Sequence, residues 1–582
     1  MTPVYPGLGL PVRQQAEKDS YPIGAHQLCS GATAEPIPVR ELAMMSIMNS
    51  LTDKPDWHVK VHDEYIVEKW RSKALAVPSQ HWWNLATTAM HTDRDENGQV
   101  VLRPARRSAP ESDDIMTADV FDVCIKELQS KANYFERSGM VPTLDCQATV
   151  VKSDKLVSAS LHKSLLAAFE TLISDQADSQ DWHPNSNDMV QDLVHPSMYP
   201  LVYGRSRVIQ EEVVGVEDAI TKWSGRGEII PKVPKPDENA ENWDPSDPQL
   251  CADVEVDQST LNHHGWTDHY LQEDDGGKKA LIETKWKALR KPVLPNVCFE
   301  DVEYEPKTES RLFDKFRDSG LQIIVKIASI ELTPEKPQFP QGGWHVEGQM
   351  NEHIACTALY YLESENITTS NLSFRMQTSQ DIINDGDNKN FDVGQDSFSW
   401  LESVYGTEFR GGSCLQNFGS VETTEKRLLA FPNVFQHRVS PFELADPTRP
   451  GHRRFVALWL VDPHLRIIST ANVPPQQLSW WTESVITTKT VGGAKRASGT
   501  DLPPEIVSLL EEKGAVLPPS VIEGKLPEEL MNMIREDVSN DALPMGIGEA
   551  KEHRLKLMKE RSVHVQKADH EWESCEYNFC EH

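Results

Sequence analysis

The chain has 582 residues, with 58 lysines and arginines against 89 aspartates and glutamates, for a formal net charge of −31. Phosphate-binding surfaces need clustered positive charge, so this balance argues against nucleic acid or an anionic membrane as the main partner. No apolar run reaches the roughly 18 residues that a membrane span needs. The N-terminus lacks the pattern of a secretory signal and the nine cysteines are irregularly spaced, so we expect a protein of the cytoplasm or the nucleus.

The first half of the chain predicts an arm followed by helices. Residues 1–35 are rich in Pro and Gly and predict an extended N-terminal arm. Residues 36–290 predict a mainly helical region with loops, because the apolar residues of 115–135 and 156–173 recur at helical spacing.

The second half predicts short strands and then further helices. Its β-rich part, 291–481, begins with a β-branched run at 321–332. Further strands are predicted at 344–347, 354–362, 371–377, 427–431, 436–439 and 453–461. The acidic C-terminal region, 482–582, predicts helices at 504–513, 527–537 and 547–561. The expected fold class is α+β, with a double-stranded β-helix core (jelly-roll or cupin-like) wrapped by helical N- and C-terminal regions.

A His-x-carboxylate motif is the first indication of a metal site. His345 and Glu347 stand two residues apart, and residues i and i+2 of a β-strand face the same way, so both can reach one metal ion. His437 would supply a second imidazole from another strand. The three side chains form a 2-His-1-carboxylate set suited to non-haem Fe(II), with coordination positions left open. We therefore predict His345, Glu347 and His437 as the metal ligands and catalytic residues.

A trailing arginine suggests how a keto acid would be held. Alternation along the strand 453–461 puts Arg453 on the same face as Trp459, which predicts an inward guanidinium that needs an anion. The distal carboxylate of 2-oxoglutarate is the candidate, held by a bidentate pair. Two alternatives stay open: a structural salt bridge for Arg453, with Arg454 as the functional residue, or Arg375 as the anchor.

Other metal motifs fit less well. A zincin needs His-Glu-x-x-His on a helix, and Glu352-His353 has no second histidine four positions on. A cupin-type site would need His-x-His, which is missing near His345. His183 and His195 stand beside proline and aromatic residues, which favours loop-anchoring hydrogen bonds over metal binding.

The motifs of the β-rich region occur together and in a fixed order. They are His345-Val346-Glu347, Tyr360-Tyr361-Leu362, Phe435-Gln436-His437-Arg438-Val439 and Gly451-His452-Arg453 with Trp459 beyond. Together they resemble the prolyl-hydroxylase branch of the Fe(II)/2-oxoglutarate dioxygenases over about residues 340–462. The resemblance implies Fe(II) and 2-oxoglutarate, and by position it gives Tyr360 a place near the co-substrate. Glu347 stands where the family usually has Asp, which leaves open an altered metal preference or a lost activity.

Longer blocks of the chain carry a second resemblance. They are His195–Gly204, Trp344–Gly348 and Phe431–Val439. The chain is similar through these blocks, over about residues 90–480, to a large, mostly uncharacterised family of filamentous-fungal proteins. That similarity implies kinship but names no substrate.

These patterns predict an Fe(II)/2-oxoglutarate-dependent oxygenase. With O₂ it would oxidise a C–H bond of an unknown small-molecule or protein substrate and decarboxylate 2-oxoglutarate to succinate. Trp344, Phe374, Phe431 and Trp459 would provide dry, aromatic walls. The alternative is a catalytically inactive pseudo-enzyme or binding scaffold, and a third reading is metal chemistry without a keto acid.

Overall fold

The structure, a computed structural model, describes most of the chain in several stretches. They are residues 33–86, 90–94, 100–104, 115–209, 227–230, 297–379, 402–481 (apart from 403, 408, 410 and 411) and 543–577. The chain divides into a unit of Met1–Ile230 with Leu294–His582 and a unit of Pro231–Val293, and the second lies outside the described residues. Nearly all of the predicted N-terminal arm and the helices predicted at 504–513 and 527–537 also lie outside them.

Eight α-helices have both ends within the described residues. They are α1 (Val39–Thr52), α2 (Trp57–Lys60), α3 (Glu64–Leu75), α4 (Ser79–Ala86), α5 (Ala118–Ser138), α6 (Ala159–Asp175), α7 (Leu312–Lys315) and α8 (Ile547–Ser574). Helix α5 begins where the Thr117 side chain accepts a hydrogen bond from the Val120 N–H, and it ends at Gly139, whose φ is +71°. The helices predicted at 115–135, 156–173 and 547–561 are confirmed, and α8 continues to Ser574.

Seventeen strands lie in the same part of the chain. They are β1 (Thr33–Ala34), β2 (Met90–Arg94), β3 (Val100–Pro104), β4 (Val141–Thr143), β5 (Val150–Ser153), β6 (Val190–Val194), β7 (Arg207–Val208), β8 (Glu228–Ile229), β9 (Ile323–Leu332), β10 (Gln338–Phe339), β11 (Ile354–Glu365), β12 (Asn371–Thr378), β13 (Leu415–Glu422), β14 (Leu428–Pro432), β15 (Gln436–Val439), β16 (Phe442–Glu443) and β17 (Gly451–Val461).

Two main sheets organise these strands. The seven-stranded sheet has the order β4-β5-β14-β11-β17-β9-β6, and every neighbouring pair in it is antiparallel. In the four-stranded sheet, β12 pairs antiparallel with both β13 and β15, and the short β1 adds a parallel pair to β12. Three two-stranded pairs, β10–β16, β2–β3 and β7–β8, complete the described strands.

The largest apolar cluster joins the two main sheets to the N-terminal helices. Phe374 of β12 meets Phe431 of β14 edge to face, with ring centroids 5.0 Å apart, so the sheets face each other at this point. On β17, Ala457 and Trp459 belong to this cluster, whereas Val456 belongs to a separate cluster with residues of α6. The alternation predicted for β17 is therefore confirmed.

Two expectations about the β-rich core need correction. Strands β4, β5 and β6 come from the region predicted as mainly helical, yet they extend the sheet built by 291–481. Strands of three to five residues carry too little periodicity to be recognised in a sequence. Segment 344–347 forms a single bridge rather than a strand.

The result is a mixed α/β protein with antiparallel sheets and with helices toward both ends of the described chain. None of the helices in the described residues has the length and apolar character that crossing a membrane requires.

Candidate metal centre

The three predicted metal ligands lie together. One ligand atom from each of His345, Glu347 and His437 lies within 4.8 Å of the other two. His437 is on β15, and His345 forms an isolated antiparallel bridge with it, which brings the segment before β11 against the four-stranded sheet. The two imidazole centroids are 4.4 Å apart. The arrangement is compact enough for all three groups to contact one ion.

The orientation of His345 leaves one ring nitrogen available. Its Nδ1 lies 2.9 Å from the carbonyl oxygen of Gly343, and a carbonyl can only accept, so Nδ1 carries the proton. In the neutral imidazole, Nε2 then presents a lone pair. Burial and the neighbouring His437 lower the pKa of His345, which favours that neutral form. A backbone carbonyl that fixes the tautomer is a common second partner of metal-binding histidines.

Glu347 is held ionised beside His437. Its Oε1 lies 3.3 Å from Nε2 of His437. Burial alone would raise the pKa of Glu347, but this hydrogen bond and the charges of His345, His437 and Lys326 bring the pKa down to about 2. The other ring nitrogen of His437, Nδ1, is buried and has no hydrogen-bond partner among the described residues. An ion bound by His437 would therefore displace only the contact with Glu347.

Asn433 fixes the backbone that carries Glu347. Its Oδ1 accepts from the Glu347 N–H at 2.9 Å, and its Nδ2 donates to the carbonyls of Glu347 and Ile354, both at 2.9 Å. Only an amide side chain can accept and donate in this way. Sequence reasoning included Asn433 in a family block but gave it no role, since the contact spans 86 residues.

Two of the four aromatic residues predicted to line the site, Phe374 and Phe431, pack against the cluster. The ring of Phe431 lies 4.9 Å from that of His437, and Phe374 lies 6.5 Å away, centroid to centroid. Trp344 instead contacts two guanidinium groups, those of Arg375 at 4.7 Å and Arg438 at 4.3 Å from its ring centroid. The side of the centre formed by Phe374 and Phe431 is thus apolar, and the side formed by Trp344 is charged.

Arg453 is a buried guanidinium with no carboxylate partner among the described residues. It is 2% exposed, its Nη1 donates to Ser370 Oγ at 2.6 Å, and its Nε makes no hydrogen bond. It stacks on Tyr361 at 5.6 Å and Phe442 at 4.5 Å. Burial lowers the pKa of Arg453, opposed by Tyr361. A buried guanidinium in such surroundings needs an anion.

The tyrosine near Arg453 is Tyr361 and not Tyr360. Tyr360 points to the opposite face of β11, packs with Phe169 of α6, and its hydroxyl lies 2.8 Å from Nδ1 of His162. Since neighbouring strand residues face opposite ways, only one of the two tyrosines can lie on the Arg453 side. Tyr360 therefore faces away from Arg453, and its place near the co-substrate stays a prediction.

The alternative anchors have partners of their own. Arg375 is 5% exposed and binds Gln436 Oε1 at 2.6 Å, Asp569 Oδ1 at 2.6 Å and Glu573 Oε1 at 3.4 Å. Arg454 lies 2.7 Å from Glu363 Oε2. These carboxylates already neutralise both guanidinium groups, whereas Arg453 has no carboxylate partner among the described residues.

Helix α8 covers the centre from one side. Ion pairs tie it to other elements along its length: Arg205–Glu549, Arg554–Asp181, Arg554–Asp192, Arg561–Glu352, Arg375–Asp569 and Arg375–Glu573. A narrow cleft under the helix is lined by Trp344, His345, His564, Val565, Asp569 and Trp572, among others. Because the cleft reaches His345, α8 forms a wall of this approach to the centre.

A second cluster, His183, Asp192 and His195, also has metal-like spacing, but several of its polar atoms take part in hydrogen bonds. His183 Nδ1 donates to Asp192 Oδ2 at 2.8 Å, and Arg554 also binds that oxygen. His195 Nδ1 accepts from the Ser197 N–H at 3.1 Å, so its lone pair is in use. The hydrogen bonds expected from the sequence for His183 and His195 are therefore present, in a group whose spacing would also suit a metal ion.

Fold and site together define a mixed α/β protein with a candidate 2-His-1-carboxylate metal centre beside its antiparallel sheets. The family described as "Protein of unknown function (DUF4246)" matches residues 118–267 and 257–484, and the "Domain of unknown function DUF4246, N-terminal" matches residues 5–73. The first match covers more than half of the chain, so the chain belongs to this family. No curated protein is significantly similar to it.

Proposed function

We propose that the protein is an Fe(II)/2-oxoglutarate-dependent oxygenase. The observation that carries the proposal is the combination of His345, Glu347 and His437 with the buried, carboxylate-free Arg453. Two imidazoles and one carboxylate are the donor set that non-haem Fe(II) oxygenases use. The distal carboxylate of 2-oxoglutarate would also need a buried cation, and Arg453 is the candidate.

The strand order supports a double-stranded β-helix as the core. An eight-stranded jelly roll is made of two facing sheets, and its chain passes repeatedly from one to the other. Here β9 and β11 lie in the seven-stranded sheet, β12 and β13 in the four-stranded sheet, β14 in the first, β15 in the second and β17 in the first. Strands β4, β5 and β6 would then be additions to the edges of that core.

His345, Glu347 and His437 would hold the iron. When bound, the iron would supply activation of O₂ and oxidation of a C–H bond coupled to decarboxylation of the keto acid. His345 presents Nε2 because Gly343 binds its Nδ1 proton, and Asn433 keeps the Glu347 backbone in place. The chain thus orients the ligand side chains before any ion binds.

Arg453 would receive the distal carboxylate of 2-oxoglutarate. Ser370 holds one end of the guanidinium, and Tyr361 and Phe442 exclude water from its faces. A guanidinium in such a dry place attracts a carboxylate more strongly than an exposed one does. Phe431 keeps the region next to His437 apolar, which would shield the reaction from water.

An anaerobic titration of the full chain with Fe(II) and 2-oxoglutarate tests the proposal. We expect a visible metal-to-ligand charge-transfer band in the wild type and no band in His345→Ala or His437→Ala. Arg453→Met should weaken keto-acid binding at least about tenfold, the cost of one charge-assisted pair. Arg454→Met is the matched control, because Arg454 lies next in sequence, is bound by Glu363 and faces the other way.

The same experiment separates the alternatives. A correctly folded, metal-loaded protein without the band would overturn the proposal and favour the binding scaffold. A band followed in air by succinate formation that His437→Ala abolishes would favour the enzyme. Metal-dependent oxidation that persists in Arg453→Met without 2-oxoglutarate would indicate chemistry independent of a keto acid.

A further inference from the structure

Lys326 points into the interior of the molecule. It lies on β9, where its cross-strand partner is Ala457 of the main apolar cluster, and the next residue on the same face, Ile324, packs against that cluster. Cross-strand partners project to the same side of a sheet. The Lys326 side chain remains 18% exposed, so solvent reaches it. A lysine that faces an apolar interior is usually paired with a polar or charged group.

Two polar atoms face each other across a gap at this lysine. Lys326 Nζ lies 3.9 Å from Asp192 Oδ1, which is an ion pair but too long for a hydrogen bond. Asp192 Oδ1 is buried and has no hydrogen-bond partner among the described residues, and within them Lys326 Nζ makes no hydrogen bond either. The other oxygen of Asp192 is taken by His183 and Arg554.

The gap lies within electrostatic reach of the candidate metal centre. Burial lowers the pKa of Lys326, while Asp192 and Glu347 both act to raise it. Lys326 in turn contributes to the lowered pKa of Glu347 and of His345. The strand register places Lys326 on the same face of the seven-stranded sheet as Phe431, whose ring lies 4.9 Å from that of His437, so a group bound between Lys326 and Asp192 would lie on the same side of this sheet as the candidate metal centre.

A donor and an acceptor at this separation suit one kind of ligand group. Two atoms 3.9 Å apart can both lie about 2.8 Å from a single hydroxyl oxygen that accepts from Lys326 and donates to Asp192, or a carboxamide can accept with its oxygen and donate from its nitrogen. An anion would be repelled by Asp192, and a cation by Lys326 and Arg554. We propose that Lys326 and Asp192 bind a neutral hydroxyl or carboxamide group of the substrate, on the side of the seven-stranded sheet that faces the candidate metal centre.

The substrate class follows, and this step rests on the proposed function. The compound oxidised would carry an alcohol or an amide at the part that Lys326 and Asp192 bind, rather than a carboxylate. A buried polar gap can also hold a single bridging water, which would satisfy both atoms without any ligand. The test therefore has to separate a ligand subsite from a water site.

Ligand-observed ¹⁹F NMR on the metal-free full chain makes that separation. The probes are fluoroacetamide and 2-fluoroethanol, which both donate and accept, with fluoroacetonitrile as an acceptor alone and fluoroacetate as an anion. We expect the first two to bind in preference to the others. Binding should weaken at least about tenfold in Lys326→Met, where the donor is lost. Lys336→Met is the control, since Lys336 is 37% exposed and pairs with Asp188.

Each outcome decides the proposal. It is overturned by fluoroacetate binding that is lost in Lys326→Met but kept in Arg453→Met, by absent binding of both neutral probes, or by equal binding of these probes in Lys326→Met. A crystal soaked in fluoroacetamide that contains only a water between Lys326 and Asp192 also overturns it, and this measurement needs no variant to fold. The NMR test uses metal-free protein, so its result does not depend on the titration with Fe(II) and 2-oxoglutarate. If that titration gives no charge-transfer band while fluoroacetamide still binds, only the oxygenase proposal is overturned.

Discussion

His345 and His437 exchange both of their backbone hydrogen bonds. The N–H of His345 donates to the His437 carbonyl at 3.2 Å, and the N–H of His437 donates to the His345 carbonyl at 2.9 Å. This pair sets the imidazole centroids 4.4 Å apart independently of what the side chains bind. The backbone thus holds the two histidines together, and substitution of either side chain leaves the bridge in place.

Metal binding should consequently be lost without loss of the fold in single histidine variants. Under anaerobic conditions, Fe(II) or Mn(II) at about a hundred times the dissociation constant should stabilise the wild type by ~2.7 kcal/mol. His345→Ala and His437→Ala should show no such rise in the thermal midpoint, with unchanged circular dichroism. His162→Ala, on α6, serves as the control and should respond like the wild type. An equal rise in all four proteins would place the metal elsewhere.

Asn433 should act on the metal centre through Glu347. Asn433→Ala removes the partners of the Glu347 N–H and of the carbonyls of Glu347 and Ile354. We expect a loss of roughly 2–4 kcal/mol in the free energy of unfolding, because several buried groups are left unpaired. Metal affinity should fall about 10–100-fold, as for other residues that orient a ligand. Isothermal titration with Mn(II) measures this, and unchanged affinity in the destabilised variant would show a purely structural role.

Arg453 and Arg375 should respond oppositely to replacement by methionine. Arg453→Met removes a buried cation that has no carboxylate partner, so the apo-protein should be equally stable or roughly 1–3 kcal/mol more stable in urea. Arg375→Met leaves Asp569 and Glu573 of α8 without their partner and should cost roughly 1–2 kcal/mol, since both carboxylates are partly exposed. Only Arg453→Met should weaken binding of 2-oxoglutarate. The reverse pattern would identify Arg375 as the anchor.

The contrast between these two arginines indicates what a sequence can reveal. The inward direction of Arg453 follows from two-residue periodicity, which is local. The partners of Arg375 on α8 lie 194 and 198 residues away, and no local pattern connects them. The same limit applies to Asn433 and to strands β4–β6, whose roles depend on contacts between distant segments. The grouping of His345, Glu347 and His437 was predictable because motif spacing and resemblance pointed to the same residues.

Tyr360 and Tyr361, adjacent on β11, allow the same substitution to be compared on the two faces of the strand. Both are buried, so alternation says that they face opposite ways but not which of them faces Arg453. Tyr361→Phe should weaken 2-oxoglutarate binding a few-fold, because the polar end of the ring next to Arg453 is lost. Tyr360→Phe should leave that binding unchanged and remove only the contact with His162. Keto-acid titration followed by the charge-transfer band measures both, and a larger effect in Tyr360→Phe would contradict this assignment.

His195 should make the protein less stable in mild acid. Burial, with Lys326 acting in the same direction and Asp192 opposing, lowers the pKa of His195 from 6.5 to about 3. Below pH 6.5, His195 is protonated in the unfolded chain but stays neutral in the folded protein. The free energy of unfolding therefore falls as the pH drops from about 6.5 toward 3. The slope is at most about 1.4 kcal/mol per pH unit for one such group.

Urea unfolding of wild type and His195→Asn at several pH values between about 7.5 and 5.5 measures this contribution, above most of the range where Asp and Glu titrate in the unfolded chain. The Asn amide oxygen can still accept from the Ser197 N–H, as His195 Nδ1 does at 3.1 Å, so the loop should keep its shape. We expect a flatter pH dependence in His195→Asn and an unchanged one in the control His162→Gln. Parallel curves for all three proteins would mean that His195 takes up its proton in the folded state as readily as in the unfolded chain.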